Sequence, residues 1–450
     1  MYTKTLLHST TMVGFAWLSM ASGAVAQLSV SAQLRTRTEL RAGQGAPLPK
    51  GSDPAFFTSQ RSRLNVGFAG HRFKTGLTLQ DVRVWGQDGS TINRTVSADN
   101  NGLKAHEAWA EIQLTDTALK TQTLLFKIGR QELVYDDQRL LGNLDWLQQA
   151  RSHDAAVLKY EVRTWSIHAG AAFNQNRENA SGTTYNSNPA GNYPGNTNGG
   201  SMYKSMQYLH AAKKLNAGQL SFLFFTDQFS KYRMDTVNNI GYKSFQPGSW
   251  ARATTGIYFN NVVGKWAITS SAYYQFGKTF NTQKLRAVLA SAFVQRNFNK
   301  QWSLGAGVDY TSGGNSGNSF DPLYGTPHKF WGLMDYFYVA SSFGKGGLTN
   351  SYIKTRYKAN DRLLFAADLH QFSSATAINY NGQSKRNFGQ EADLVATYSL
   401  TKTIGLESGY AHFFATPLLN APAVKNVANG RTNADWAYLM INIRPEFLFK

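Results

Sequence analysis

The sequence contains no cysteine and no apolar run long enough for a membrane helix. Without cysteine, the 450 residues form no disulfide framework, bind no metal through thiolates and offer no cysteine nucleophile. Outside the first 26 residues, no segment approaches the roughly 20 consecutive apolar residues that a spanning helix needs. Interdomain linkers rich in Pro and Ser are absent and helical patterns are scarce, which argues against a multidomain soluble protein.

Acidic residues are few compared with basic ones. The chain has 27 Asp and Glu against 46 Lys and Arg, which gives a formal net charge of +19 and a pI near 9.8. This balance indicates an anionic partner. It favours an anionic polysaccharide, an anionic lipid or acidic small molecules over nucleic acid, which an exported chain rarely meets.

The N-terminus predicts export. Lys4 is followed by an apolar run from Met12 to Met20 and by the small-residue pattern from Ala24 to Ala26. The run is too short to span a bilayer, and the pattern is typical of a cleaved signal peptide. We therefore expect a signal peptide over residues 1–26, a mature chain over 27–450 and localisation in the bacterial outer membrane.

Alternation of polar and apolar residues is the main pattern in the mature chain. In residues 28–41, Leu28, Val30, Leu34 and Leu40 share one face, and the arginines share the other. The same two-residue period returns in 61–68, 107–114 and 353–358, over lengths close to the 9 to 11 residues of a tilted membrane strand. Aromatic residues, 13% of the chain, are typical of strands and of membrane interfaces.

The connections predict a barrel, because short turns alternate with long polar loops. Nineteen segments could be strands, but a chain with both ends in the periplasm needs an even number. The weakest candidate, 333–343, is therefore assigned to one long extracellular or inward-folded loop over 313–347. The predicted fold is an all-β transmembrane antiparallel barrel of about eighteen strands, with short periplasmic turns, long extracellular loops and a last strand over 436–449. Short turns are expected at 69–72, 215–218, 262–265, 298–301 and 358–361, and long loops at 42–57, 88–102, 132–149, 174–201 and 229–249.

A barrel of this size encloses a water-filled lumen whose inward side chains set selectivity. Basic residues on the polar faces of the predicted strands are candidates for an electropositive inner wall, although Glu39, Glu107 and Glu111 could neutralise their neighbours across strands. The pore-lining candidates are Arg35, Arg37, Arg41, Arg61, Arg63, Lys127, Arg286, Lys354 and Arg356.

The densest charge lies between Gly129 and Asp154, in GRQELVYDDQRLLGNLDWLQQARSHD, at the end of a predicted hairpin. This stretch, with SQRSRLNVGF, LQDVRVWGQD, EAWAEI and FDPLYGTPHKFWGLMDYF, resembles the alginate export family of outer-membrane barrels over essentially the whole mature chain. The resemblance implies a monomeric eighteen-stranded barrel that passes an anionic polyuronate through an arginine-lined constriction. It also implies contact with outer-membrane lipid and with periplasmic export partners.

The resemblance places the constriction on matching residues only. Asp136 departs from the family pattern, which has glycine between the tyrosine and the aspartate that precede Gln-Arg. The mixture of signs would hold the arginines in place and keep a polyanion from binding too tightly to leave. The implied substrate-binding residues are Arg63, Asp81, Arg83, Arg130, Asp136, Arg139, Asp145, Arg151 and Asp154.

Catalysis and metal binding find little support. Asp136 and Asp137 are adjacent, as are His153 and Asp154, so on a strand each pair would face opposite ways. The histidines show no metal-ligand spacing, and His328 is expected to pack within its loop. We therefore expect a channel without cofactor or metal. A general anion-selective porin for acidic sugars or small solutes remains the alternative, and a structural or adhesive barrel is the third class.

Overall fold

β-Strands make up most of the described part of the chain, and helix is scarce. A computed structural model describes residues 27–86, 102–174, 181–182, 202–237, 240–315, 317–337 and 343–449, so the predicted signal peptide lies outside it. No helix in these ranges is long and apolar enough to cross a membrane. The short helices are a 3-10 turn at Pro327–Lys329 and α1 at Pro417–Asn420.

The strands are β1 Gln27–Ala42, β2 Ala55–Gly70, β3 Phe73–Val84, β4 Lys104–Gln113, β5 Gln122–Gln131, β6 His153–Val162, β7 Trp165–Phe173, β8 Tyr203–Leu215, β9 Gly218–Val237, β10 Ile240–Val263, β11 Trp266–Lys278, β12 Lys284–Asn297, β13 Trp302–Thr311, β14 Leu348–Lys358, β15 Leu363–Tyr380, β16 Gln383–Ser399, β17 Ile404–Ala415, and β18 in two segments, Asn433–Ile443 and Glu446–Phe449.

The strands close into one antiparallel barrel. Each strand pairs with its neighbours in sequence, and β1 pairs both with β2 and with the two segments of β18. The last strand is interrupted at Arg444–Pro445, where proline has no backbone N–H to donate, and the Pro445 carbonyl instead accepts from the Ala32 N–H at 3.0 Å. The predicted barrel of eighteen strands is confirmed.

The outer surface of the barrel carries an apolar belt. Leu34, Ile353 and Leu394 face outward with 39%, 49% and 55% exposure, as alternation predicts. Tryptophans begin β7, β11 and β13 at the end with the short turns, while Phe173 and Tyr310 lie outward near the opposite end. Two aromatic girdles around an apolar band are typical of a strand barrel in a bilayer.

The connections follow the predicted asymmetry, with one correction. All five predicted short turns fall between strands at the same end of the barrel. The predicted loop 229–249 is wrong, because β9 and β10 continue through it as a paired hairpin with a bulge between Gln246 and Ser249. Strands that project beyond the membrane need no apolar face, so their polar composition resembled that of a loop. Predicted loops 88–102 and 174–201 fall largely outside the described residues.

Three long connections fold into the barrel instead of away from it. They are residues 132–152 (loop A), the described residues 312–315, 317–337 and 343–347 (loop B) and residues 416–432 (loop C). Tyr336 and Phe337 of loop B are fully buried against Phe372 and Phe413 of the wall. Burial of this kind contributes roughly 1.5–3 kcal/mol per large side chain, so the loops form part of the core. Over its described residues, the predicted long loop 313–347 takes the inward-folded form of the two that were expected.

Candidate functional site within the barrel

Strand register determines which charged side chains reach the interior. Arg35 of β1 lies opposite Arg61 of β2, and Gln33 lies opposite Arg63. Directly opposed residues share a face, and Leu34 and Leu64, which are sequence neighbours of Arg35 and Arg63, are exposed on the outer wall. The arginines of β1 and β2 therefore point inward, as predicted.

Three of these arginines converge on one carboxylate of loop A. The guanidinium of Arg61 lies 2.8 Å from an Asp145 oxygen, and those of Arg35 and Arg63 lie 3.4 Å away. Burial by itself would raise the pKa of Asp145, but Arg61, Arg35 and Arg63 together hold it below its usual value. Arg35 also donates to Gln148 at 2.9 Å. This group, named here the Asp145 cluster, holds loop A against the wall and carries more positive than negative charge.

Aromatic stacking joins loop A to loop B beside the Asp145 cluster. The Trp146 ring stacks on His328 at 4.2 Å and 11°, and the Arg37 guanidinium lies 4.4 Å above the same tryptophan. Glu39 accepts from Arg37 at 2.9 Å and from the Trp436 indole at 3.0 Å. His328 therefore packs between loops, as expected, and Glu39 neutralises its neighbour.

Two further arginines of loop A hold this loop in place. Arg139 lies 3.3 Å from Asp137 and 3.1 Å from Asp309 of the wall. Burial opposes its charge, but these two carboxylates raise the pKa of Arg139 above the usual value. Arg151 donates to the backbone carbonyls of Tyr324 and Gly325 in loop B. Arg139 therefore links loop A to the wall, and Arg151 links it to loop B.

Asp136 occupies a backbone position that suits glycine, because its φ is +53°. Its carboxylate accepts hydrogen bonds from Ser221 at 2.6 Å and from Gln219 and His210 at 3.0 Å. These three bonds explain how aspartate replaces the glycine of the resembling family. Asp136 therefore anchors loop A to β8 and β9. Asp136 and Asp137 both lie in this loop and not on a strand.

Five predicted residues lie on the outer wall, which corrects their assignment to the constriction or the inner wall. Asp81 and Arg83 stand opposite Ser62 and Gln60, on the same face as the exposed Leu77. Arg130 and Asp154 pair at 2.8 Å with side chains about half exposed, and Arg286 stands opposite the exposed Phe276. The family motif assigned these residues to the constriction by their position in the sequence. That assignment did not take into account that alternate residues of a strand face opposite sides. The residues that face outward are Asp81, Arg83, Arg130, Asp154 and Arg286.

The half of the lumen nearer the short turns carries partly paired cations. Lys354 and Arg356 share Asp368, with Lys354 at 3.2 Å. Lys127 lies 3.9 Å from the Trp109 ring, which its charge approaches face-on. Across β4 and β6, Lys159 pairs with Glu111 at 2.7 Å, so Glu111 neutralises a neighbour as anticipated. These cations lie inward where the loops do not cover them, as predicted for Lys127, Lys354 and Arg356.

The sequence patterns do not identify some residues of this site. Asp309 and Trp436 lie inward on strands outside the charged motifs. Gln148 lies inside the charged stretch but carries no charge itself. The signal available for Asp309 was its position among outward Val308 and Tyr310, which fixes it on the inner face. Among the described residues, no group of three or more His, Asp or Glu side chains could hold a metal ion.

The closed barrel, its apolar belt and its charged interior define an outer-membrane channel. The model of the alginate export family matches residues 26–423, so the chain belongs to the alginate export family. No curated protein gives a significant match. The chain is a channel and not an enzyme.

Solved structures share the fold at low identity. Pseudomonas aeruginosa OccK9 (OpdG) is 14% identical, covers 93% of this chain and 98% of its own, and superposes with a TM-score of 0.60. Acinetobacter baumannii OccAB4 is 13% identical over 94% and 98%, with a TM-score of 0.60. P. aeruginosa OpdK, solved with vanillate, is 11% identical over 93% and 99%, with a TM-score of 0.58. These similarities establish the architecture alone.

Lys425 of loop C should make the docking of that loop depend on pH. Its ammonium group donates to the Gly45 carbonyl at 2.9 Å and to that of Tyr336, and burial lowers its pKa to about 7. Between pH 7 and the ordinary value of 10.5, undocked loop C holds more protons than docked loop C. Docking should therefore strengthen as pH rises through this range and stay constant below it.

Hydrogen exchange over residues 418–426, corrected for the intrinsic rate, would measure this dependence. In the variant Lys425→Met the protection should no longer change between pH 7 and 10. An equal change with pH in that variant would show that another group is responsible.

Proposed function

We propose that this channel passes anionic saccharides, with polyuronates as the substrate class, through a lumen narrowed by loops A and B. Membership of the alginate export family supports this substrate class. The observation that carries the proposal is the Asp145 cluster, in which three guanidiniums share one carboxylate inside the barrel. The chain is proposed to act as a monomer in contact with outer-membrane lipid and periplasmic export partners.

The charge balance of the site favours anions. The Asp145 cluster carries a formal excess of two positive charges, and Arg35 and Arg61 are less than 5% exposed. Cations in a confined site of low dielectric raise the local anion concentration and repel cations. Lys354 and Arg356, two cations on one carboxylate, add an excess of one positive charge nearer the short turns. Their shared carboxylates keep each arginine from binding a polyanion irreversibly.

Reversal potentials in planar bilayers test this selectivity. Under a tenfold KCl gradient, the wild-type channel should prefer chloride, and Lys354→Gln with Arg356→Gln should move the reversal potential toward zero because two inward cations are lost. Arg130→Gln is the matched control, since it removes one outward cation. Equal reversal potentials in all three proteins would refute the electropositive lumen.

A second candidate is uptake of small aromatic carboxylates. Near the long-loop end, a cavity of about 210 Å³ is lined by two stacked aromatic pairs, Phe229 with Trp250 and Tyr232 with Phe280, each at 4.5 Å. Arg252 lies at the same cavity, held by Asp227 and Asp321. The volume suits a small solute, and OpdK, which has the same fold, has been solved with vanillate.

Current block by uronate oligomers of increasing length separates the two candidates. A polyuronate channel should be blocked more tightly by longer oligomers, because each added carboxylate meets further cations. A small-solute channel should be blocked by vanillate and by monomeric uronate, with no gain from added length.

A further inference from the structure

The outer wall carries a cluster of cations that the proposed transport does not use. Lys278 ends β11 and Lys284 begins β12, and the two stand directly opposite each other across the hairpin. Arg286 follows on the same face, opposite Phe276. All three are exposed, and none forms an ion pair among the residues that the structure describes. Lys278, at the rim, also borders the aromatic cavity.

Directly opposed like charges on adjacent strands are destabilising. Elsewhere on the outer wall the chain avoids this cost, because Arg83 pairs with Asp81 and Arg130 pairs with Asp154. Beside this end of the hairpin of β11 and β12, the neighbouring segments supply no carboxylate. On one side, the outward residues of β10 are Ala251 and Ala253. On the other side, β13 has already ended at Thr311, and the described residues 312–315 and 317–319 of loop B include no Asp or Glu. An external anion would relieve the repulsion between Lys278 and Lys284.

The position of the cluster along the membrane normal indicates that this anion is a lipid headgroup. From Trp266 to Phe276, the outward residues of β11 run ten positions between the two aromatic girdles. Ten residues span about 33 Å of strand, or about 25 Å along the membrane normal at a tilt of about 40°, which matches the apolar band of an outer-membrane barrel. Lys278, Lys284 and Arg286 therefore lie at the level of lipid headgroups, on the long-loop side that faces the outer leaflet.

We propose that Lys278, Lys284 and Arg286 form a binding site for the phosphate groups of a phosphorylated glycolipid in the outer leaflet. The ammonium group of lysine and the guanidinium group of arginine both donate charge-assisted hydrogen bonds to phosphate oxygens. The aromatic side chains of Tyr274 and Phe276, exposed just below, contact the acyl region of the same lipid. The site binds its lipid from outside the barrel, independently of the solute in the lumen.

Binding of diphosphoryl lipid A to the purified channel in detergent, followed by native mass spectrometry, tests the proposal. The variant with Lys278→Gln, Lys284→Gln and Arg286→Gln should bind about 100-fold more weakly, because each cation near an anionic lipid surface contributes about one factor of five. Arg130→Gln, which removes an outward arginine already paired with Asp154, should bind like wild type. Dephosphorylated lipid A should bind all proteins weakly.

Three results would overturn the proposal. They are wild-type affinity in the triple variant, equal binding of dephosphorylated lipid A, and displacement of the lipid by inorganic phosphate at millimolar concentration, which would indicate a site for free anions. The double variant Lys284→Gln with Arg286→Gln, which keeps Lys278 at the border of the aromatic cavity, should bind the lipid about 25-fold more weakly and conduct like wild type. Unchanged conductance confirms that the barrel folds and separates this site from the transport proposal.

Discussion

Asp145→Asn should release loop A from the barrel wall and raise the single-channel conductance. The substitution preserves the shape of the side chain but leaves Arg35, Arg61 and Arg63 without their shared carboxylate. Removing one partner of a buried ion pair costs about 3–5 kcal/mol. Because 1.4 kcal/mol is a factor of ten, the ratio of docked to undocked loop should fall about a thousandfold. Planar-bilayer recording should show larger and noisier openings.

Asp154→Asn provides a matched control for this variant. Asp154 also pairs with an arginine and belongs to the same charged stretch, but its side chain is 52% exposed on the outer wall. An exposed pair contributes about 0–1 kcal/mol, so this variant should conduct like wild type. Equal conductance in both variants and wild type would mean that Asp145 does not hold loop A.

Arg139→Gln should have the second largest effect, by separating loop A from the wall at β13. Arg139 and Asp309 are both buried, and the substitution leaves Asp309 and Asp137 without their cation. The expected cost is again about 3–5 kcal/mol, most of it from the carboxylate left buried and unpaired. Thermal unfolding in detergent should begin at a lower temperature, and the conductance should rise.

Arg130→Gln tests whether an arginine on the outer wall takes part in conduction. Sequence similarity assigns Arg130 and Arg139 to one constriction, whereas the structure places Arg130 on the outer wall and Arg139 inside. Arg130→Gln should leave conductance and ion selectivity unchanged. The double variant Arg139→Gln with Asp309→Asn should recover part of the lost stability, because it removes the buried charge that the single variant leaves.

The barrel was predictable because a strand imposes a two-residue period on every side chain. That period correctly placed Arg35 and Arg61 inward and Leu34 outward. It could also have corrected Arg83, which shares its parity with the outward Leu77, had it been applied to the matched motifs. The residues of the family motif were grouped by their order in the chain, and order alone does not fix the face of a strand.

The packing of loops A and B was less accessible from sequence. Asp145 meets Arg35 and Arg61 across 110 and 84 positions of the chain, and no local pattern encodes such a contact. The stack of Trp146 on His328 likewise joins two separate loops. Arg35, Arg61 and Arg63, which the sequence predicts to line an open pore, anchor loop A through Asp145. Their excess positive charge still faces the interior, and we therefore keep anion selectivity as a proposal for experiment.

Thiol labelling of loop A tests the central claim, that the Asp145 cluster holds this loop inside the barrel. The chain has no native cysteine, so a single Leu144→Cys at a buried position can be followed in intact outer membranes with a membrane-impermeant maleimide. Asp53→Cys, on an exposed connection, gives the reference rate. We predict that Leu144→Cys is protected and that adding Asp145→Asn brings its labelling to the reference rate. Labelling of Leu144→Cys at the reference rate in the presence of Asp145 would contradict it.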